Sequence, residues 1–278
     1  MSYFQAIARG ETPAAPVWLP FLETLAARMD GCAPETLVAD ATRWANALPR
    51  AAKLLDVPVV AVGFVDGMGL AAFSERPAEP WSHPSLSTLL ECASRLAETV
   101  RPGRELVVAV PGPVRLLRHL GLAADRAGFD CIKPGLVRLL ELLAERRPEL
   151  VVLNETGEDP LALASTDCRR LCNTLKNVTE YFGVGLGLRV DGAADGGALI
   201  TGLRALRLDH LLLGGPVPDA AAAAGVAEGQ GWRSLGLPLA DIGVLPALSQ
   251  AGTARYWCSP GQETDLDRAR RIAQALAR

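Results

Sequence analysis

The sequence lacks several features that would place the protein in a membrane or on a nucleic acid. Its 278 residues contain no apolar run of about 18 residues, the length that a transmembrane helix needs. The opening "MSYFQAIARGETP" has no apolar stretch typical of a signal peptide. The 28 basic residues are outnumbered by 31 acidic ones, and no basic stripe is present. We therefore expect a cytoplasmic protein with neither a membrane nor a nucleic acid as its partner.

Motifs for cofactors and structural metals are also missing. No G-x-G-x-x-G follows a first strand, and the glycine-rich "GAADGG" that begins at Gly192 has the wrong spacing, which argues against a dinucleotide site. Of the six cysteines only Cys168 and Cys172 lie close in sequence, and they have neither a second cysteine pair nor a nearby histidine. We expect no metal and no cofactor.

Apolar residues make up 49% of the chain, and they are concentrated in short runs. We count eight runs: "APVWLPF" from Ala15, "VPVVAVGF" from Val57, "ELVVAV" from Glu105, "ELVVLN" from Glu149, "GVGLGLRV" from Gly183, "DHLLLGG" from Asp209, "LADIGVL" from Leu239 and "ARYWCS" from Ala254. Such runs are typical of strands buried on both faces, and helical periodicity fills most of the intervals. This alternation predicts an α/β protein, a single (β/α)8 barrel domain over residues 1–278 with a short N-terminal helix.

Polar residues follow several of these runs, where a barrel of this class places its chemistry. They are Glu23, Asp66, the sequence Asn154-Glu155-Thr156, and the pair Arg189 and Asp191. Asp66 ends an almost unbroken apolar run, so its carboxylate is either a turn residue before Gly67 or a reactive group aimed into a dry cleft. Arg189 and Asp191 could equally form an internal ion pair. His119, in the helical segment "LLRHLGL", is a candidate acid or base.

Several of these segments resemble the uroporphyrinogen decarboxylase superfamily, which includes corrinoid-linked methyltransferases. "ARGETPAAPVWLPF" is similar to the family's opening, "VGFVDG" to the strand with its catalytic aspartate, and "VPGPVRLLRHL" to the segment after its third strand. "LNETG" and "YWCSPGQETD" resemble two later strand ends. The resemblance implies that Asp66 is the central aspartate, that His119 replaces a tyrosine, and that Thr156 replaces a carboxylate-binding serine. It also implies a homodimer.

Other positions depart from the family pattern. Phe21 and Leu25 stand where the decarboxylases have substrate-binding arginines, and Pro260 stands near their C-terminal histidine. The zinc-binding His-x-Cys pair of the methyltransferases is replaced by "LRVDG". A polyanionic porphyrinogen needs cationic partners, so literal uroporphyrinogen decarboxylation is disfavoured.

We expect a metal-independent decarboxylase (a lyase) that acts on a small carboxylated or tetrapyrrole-related substrate at the barrel mouth. Asp66 and His119 would be its catalytic residues, and Glu23, Asn154, Glu155, Thr156, Arg189 and Asp191 would bind substrate. Two alternatives remain open. One is a methyltransferase linked to folate or to a corrinoid protein that has lost the usual zinc ligands, and the other is a non-catalytic ligand-binding homologue.

Overall fold

We analysed a computed structural model of the chain, which describes residues 3–8, 11, 13, 17–100, 103–155, 160–191, 196–214, 226–227, 229, 232–239 and 254–276. Within these ranges no helix is both long enough and apolar enough to cross a bilayer.

Eight parallel strands form the centre of the molecule. They are β1 (Trp18–Phe21), β2 (Val59–Val62), β3 (Glu105–Pro111), β4 (Leu150–Glu155), β5 (Gly185–Asp191), β6 (His210–Gly214), β7 (Ser234–Pro238) and β8 (Ala254–Gln262). Their hydrogen-bonded order is β1-β8-β7-β6-β5-β4-β3-β2, so that the sheet curls into a nearly closed barrel. The predicted (β/α)8 fold is confirmed.

Helices precede, connect and follow the strands, and most of them lie on the outside of the barrel. Those with described bounds are α1 (Tyr3–Ala8), α2 (Glu23–Met29), α3 (Pro34–Val38), α4 (Ala41–Leu54), α5 (Leu70–Glu75), α6 (Pro84–Thr99), α7 (Pro113–His119), α8 (Arg126–Ala144), α9 (Pro160–Leu163), α10 (Thr166–Tyr181), α11 (Gly196–Leu203) and α12 (Leu266–Leu276). Short 3-10 turns at Pro80–Ser82 and Arg204–Leu206 complete the connections.

Side chains alternate along each strand between two apolar cores, as the period of two requires. In β2, Val59 and Ala61 belong to the cluster inside the barrel, whereas Val60 and Val62 belong to the cluster between strands and helices. The inner cluster also contains Phe21 of β1. The interior below the mouth is therefore filled with side chains, and chemistry is confined to the end of the barrel where the strands finish.

The barrel is incomplete at one place, between β1 and β2, which we call the β1/β2 seam. The strand ladder pairs β1 with β8 and β2 with β3, and within the described residues no ladder joins β1 to β2. Aromatic contact replaces it near the mouth, where the rings of Phe21 and Phe64 stack with centroids 4.0 Å apart.

Helix α1 closes the opposite end of the barrel. The buried carboxylate of Glu105, at the start of β3, accepts the backbone N–H groups of Tyr3 at 2.9 Å and Phe4 at 2.7 Å. Phe4 packs edge-to-face against Tyr256 and His210 inside the barrel. This packing leaves the carboxyl ends of the strands as the end where a substrate can enter.

One detail of the sequence-based prediction was wrong. The seventh strand is Ser234–Pro238 rather than a run beginning at Leu239, since "SLGLP" pairs with both neighbouring strands. Helices α3 and α4 follow each other closely between the first two strands. Asp40 begins α4, because its carboxylate accepts the N–H groups of Thr42 and Arg43.

Candidate active site

A buried polar layer lies at the carboxyl ends of the strands, and we call this end of the barrel the mouth. Glu23, Asn154 and Arg189 are 0%, 6% and 5% exposed, respectively. Glu23 directly follows β1 and begins α2, whereas Asn154 and Arg189 are paired residues on the neighbouring strands β4 and β5. Because all the strands are parallel, these side chains belong to the same end of the barrel, as the sequence predicted.

Glu23 bridges the β1/β2 seam. Its Oε1 accepts the backbone N–H of Phe64 at 3.1 Å, and its Oε2 accepts the side-chain N–H of Gln262 at 3.0 Å. Burial raises the pKa of Glu23 above its ordinary value even though the hydrogen bonds from Gln262 and Phe64 oppose that shift. The site therefore contains a carboxyl group that holds its proton unusually well.

Arg189 supplies positive charge to the same layer. Its guanidinium donates to the carbonyl of Pro260 at 2.7 Å and lies 3.5 Å from Oδ1 of Asn154. Its Cζ is 4.8 Å from the ring centroid of Phe21 and 6.0 Å from that of Phe64. The two rings give the cation a partly apolar environment, in which its electrostatic effect on a ligand exceeds that at an open surface.

A buried thiol belongs to the inner core of the barrel. Cys258 of β8 donates to the carbonyl of Leu213 at 3.4 Å. Burial raises the pKa of Cys258 to about 12, although the positive charge of Arg189 acts in the opposite direction. The thiol is therefore protonated at neutral pH and contributes packing rather than charge.

Glu155 is buried, but it points away from the barrel interior. Its Oε1 and Oε2 accept the backbone N–H groups of Val114 at 2.9 Å and Arg115 at 2.8 Å, which are the first free donors of α7. A Cβ atom on Gly112 would lie 2.2 Å from Cδ of Glu155, so that only glycine leaves room for this carboxylate. Glu155 therefore positions α7, whereas its neighbour Asn154 belongs to the mouth.

Asp66 lies at an exposed position of the loop 63–69 between β2 and α5, which we call the cover segment. Its side chain is 92% exposed and forms an ion pair with Arg115 of α7. The hydrogen bond from Arg115 lowers the pKa of Asp66. The structure therefore places Asp66 at the surface and not in the dry cleft that a catalytic role would need. The Asp66–Arg115 pair joins the cover segment to α7.

The structure does not bring His119 together with the polar layer. His119 ends α7, is exposed, and lies six residues beyond the start of that helix. At about 1.5 Å per residue, this places it roughly 9 Å along the helix from the mouth. Thr156 lies outside the described residues, and for Asp191 only the backbone of β5 is described.

Sequence reasoning missed Gln262, the side chain that links β8 to Glu23. Its Oε1 accepts the backbone N–H of Thr24 at 3.2 Å, while its Nε2 donates to Glu23. The signal was present in the quoted "SPGQETD", but neither spacing nor periodicity distinguishes this glutamine from an ordinary loop residue. Among the described residues, no group of three His, Cys, Asp or Glu side chains is arranged to hold a metal ion.

Comparison with known proteins shows the fold alone. No protein-family model and no curated protein matches the sequence. Among solved structures, a methyltransferase from Methanosarcina mazei superposes with a TM-score of 0.78 at 12% identity, covering 98% of this chain and 96% of its own. A 2,3-dimethylmalate lyase of the PEP mutase/isocitrate lyase superfamily gives 0.50 at 13% identity, covering 94% and 79%. The chain is thus a (β/α)8 barrel whose architecture is similar to that of a methyltransferase over almost its whole length.

Proposed function

We propose that the protein is an enzyme that transfers a methyl group from a small substrate to a nucleophilic acceptor, with Glu23 as the proton donor. The observation that carries the proposal is the buried, proton-retaining Glu23 in one polar layer with Arg189 and Asn154. The likeness to a methyltransferase over 98% of the chain supports this reaction class. It favours methyl transfer over the decarboxylation that the sequence first suggests.

The proposed step needs an acid. The electron pair of the acceptor forms a new bond to the methyl carbon, and the pair of the broken bond moves to the oxygen or nitrogen that held the methyl group. That atom leaves poorly as an anion, so a proton from Glu23 neutralises it as the bond breaks. A carboxyl group whose pKa is raised by burial retains such a proton nearer to neutral pH than an ordinary glutamate does.

Arg189 and Asn154 would orient the substrate. The guanidinium is a suitable partner for a carboxylate, and the amide of Asn154 carries both a donor and an acceptor. Thr156 and Asp191 remain predicted substrate-binding residues of the same mouth. The acceptor would be a corrinoid carried by a partner protein, as the family resemblance described above implies.

Substrate contact with Glu23 requires movement of the cover segment, since Glu23 is fully buried. Gly63, Gly67 and Gly69 of this segment have positive φ angles of 87°, 70° and 75°, a conformation that favours glycine. The Asp66–Arg115 ion pair ties the segment to α7, with Asp66 92% and Arg115 13% exposed. Opening must therefore break this ion pair and the stack of Phe64 on Phe21.

Decarboxylation is the second candidate, and the pairing of a cation with an acid favours it. Arg189 would bind the carboxylate that leaves as carbon dioxide, while the electron pair of the broken bond stays on carbon. Glu23 would then give its proton to that carbon. The same two side chains serve both reactions, so the products must distinguish them.

A two-product assay tests the proposal. Purified protein is incubated with free cob(I)alamin as acceptor and, in turn, methanol, methylamine and methoxybenzoate as donors, and methylcobalamin is followed by its absorbance. Carbon dioxide release from methoxybenzoate and from small dicarboxylates is measured in parallel. We expect methylcobalamin to form with at least one donor.

Matched variants locate the acid. Glu23→Gln should slow methyl transfer by about 10²-fold or more, the usual contribution of general acid catalysis. Glu91→Gln, at a surface ion pair with Arg95, should leave the rate unchanged. Release of carbon dioxide without formation of methylcobalamin would show that the protein is a decarboxylase and not a methyltransferase. Neither product, or equal rates in Glu23→Gln and wild type, would refute the assigned role of Glu23.

A further inference from the structure

Gln262 holds the buried carboxyl group of Glu23 through a side chain whose own orientation is set by the backbone. Its Oε1 accepts the N–H of Thr24 at 3.2 Å. The amide group is therefore turned so that Nε2, and not Oε1, faces Oε2 of Glu23 at 3.0 Å. Thr24 belongs to the first turn of α2, where backbone N–H groups have no partner within the helix. A single glutamine thus satisfies one backbone donor and fixes one carboxyl oxygen.

The other hydrogen bond to Glu23 comes from the main chain. A carboxylate has about four lone-pair positions, and this one accepts from the Gln262 amide on Oε2 and from the backbone N–H of Phe64 on Oε1. The Gln262 amide can rotate without moving the backbone, whereas the Phe64 N–H cannot. A proton on Oε2 therefore competes with the Gln262 donor.

We propose that Gln262 is a positioning residue: its carboxamide fixes the orientation of the Glu23 carboxyl group and decides whether Oε2 accepts a hydrogen bond or carries a proton. In one amide orientation Gln262 donates to the carboxylate. In the flipped orientation its Oε1 accepts the O–H of the neutral acid and its contact with Thr24 is lost. For the activity measurements, this inference rests on the proposed function of Glu23 as an acid.

The surroundings of Glu23 contain few competing charges. Cys92 of α6 is a buried thiol, and its pKa is raised by burial and further by the charge of Glu23. Asp66 on the cover segment is paired with Arg115, and Arg189 lies on Phe21 with its hydrogen bonds directed to Pro260 and Asn154. Gln262 is the side-chain donor to Glu23, so changing it should move the titration of that group more than changing these neighbours.

The test is a direct titration of Glu23 in the full-length protein. Glutamate labelled with ¹³C at the carboxyl carbon gives one NMR signal per residue, and the signal that disappears in Glu23→Gln belongs to Glu23. Gln262→Met keeps the length of the side chain but removes the donor, and it should move the Glu23 midpoint upward by about one pH unit, as expected for loss of one hydrogen bond to a charged group. Gln262→Glu should move it further, because two neighbouring carboxyl groups then compete for protons.

A glutamine elsewhere in the chain provides the control. Gln274→Met, at an exposed position of α12, should leave the midpoint unchanged. If Gln262 only filled space, Gln262→Met would lower the melting temperature and leave the Glu23 midpoint where it is. Folded variants with an unmoved midpoint would therefore overturn the inference.

A measurement on the wild type tests the same inference even if the variants do not fold. The side-chain NH₂ signals of Gln262 should shift with the same pH midpoint as the Glu23 carboxyl carbon, and independence of the two would also overturn the inference. The NMR results do not depend on turnover. Coupled titration without methyl transfer or carbon dioxide release would refute the proposed function and leave the role of Gln262 intact.

Discussion

Replacing Gly112 by alanine should destabilise the protein through one identifiable clash. The backbone at Gly112 has φ −78° and ψ 161°, which alanine adopts without strain. The added Cβ would lie 2.2, 2.4 and 2.5 Å from Cδ, Cγ and Oε1 of Glu155. The buried carboxylate must then move, and it loses its hydrogen bonds to Val114 and Arg115.

The magnitude follows from those two bonds. Hydrogen bonds to a charged group contribute about 1.5–3 kcal/mol each, so Gly112→Ala should lower the free energy of unfolding by about 3 kcal/mol or more. Chemical denaturation followed by circular dichroism measures this change. Gly103→Ala is the matched control, because a Cβ there meets no atom within 4 Å, and it should shift the free energy by less than about 1 kcal/mol.

A double variant isolates the cause. In a Glu155→Ala background the clash is absent, so the additional cost of Gly112→Ala should fall below about 1 kcal/mol. A penalty that persists in that background, or a Gly112→Ala protein as stable as Gly103→Ala, would show that the contact with Glu155 is not what requires glycine.

Three further predictions concern the candidate acids. The pKa of Glu23 is raised in the folded state, so the folded chain binds this proton more tightly than the unfolded chain. Denaturation at several pH values should therefore show that wild type loses stability relative to Glu23→Gln as the pH rises above about 4.5. A difference in stability that does not depend on pH would contradict the raised pKa. Asp66→Asn should change the free energy of unfolding by no more than about 1 kcal/mol, because the side chain of Asp66 is 92% exposed. The small contribution of its ion pair should disappear as the pH falls from 3.8 through the lowered pKa of Asp66 in the folded state. A larger loss of stability in denaturant titrations would indicate that Asp66 has a buried role. His119→Gln should leave the pH profile of turnover unchanged if Glu23 is the acid. If one limb of that pH profile disappeared in His119→Gln, His119 and not Glu23 would be the proton donor.

The sequence predicted the barrel because the physical signal for it is strong and repeated. Apolar runs rich in β-branched residues, separated by helical segments, leave few alternatives to a parallel sheet covered by helices. The seventh strand was misplaced because "SLGLP" contains a glycine and a proline, and the apolar "LADIGVL" follows it. Pairing with β6 and β8 decides that strand, and such long-range pairing is not visible in a local pattern.

The site was predicted in part. The ends of parallel strands must lie at one edge, so Glu23, Asn154 and Arg189 were correctly placed at the mouth. Alternation along β4 could also have separated Asn154, which lies two residues after inward-facing Val152, from Glu155, which lies two residues after outward-facing Leu153. The Asp66–Arg115 pair could not be predicted from the sequence, because it depends on how a loop rich in positive-φ glycines folds against a separate helix.

The β1/β2 seam has a consequence for how the barrel fluctuates. Between the other neighbouring strands, separation requires several main-chain hydrogen bonds to break together, whereas among the described residues the Glu23 carboxyl group and the Phe21–Phe64 stack hold the edges of β1 and β2. Local opening of the barrel should therefore begin between β1 and β2. Amide protons on the facing edges of these two strands should exchange with deuterium earlier than those of β4 and β5. The Glu23 carboxyl group would then govern both proton binding at the mouth and the local opening between β1 and β2.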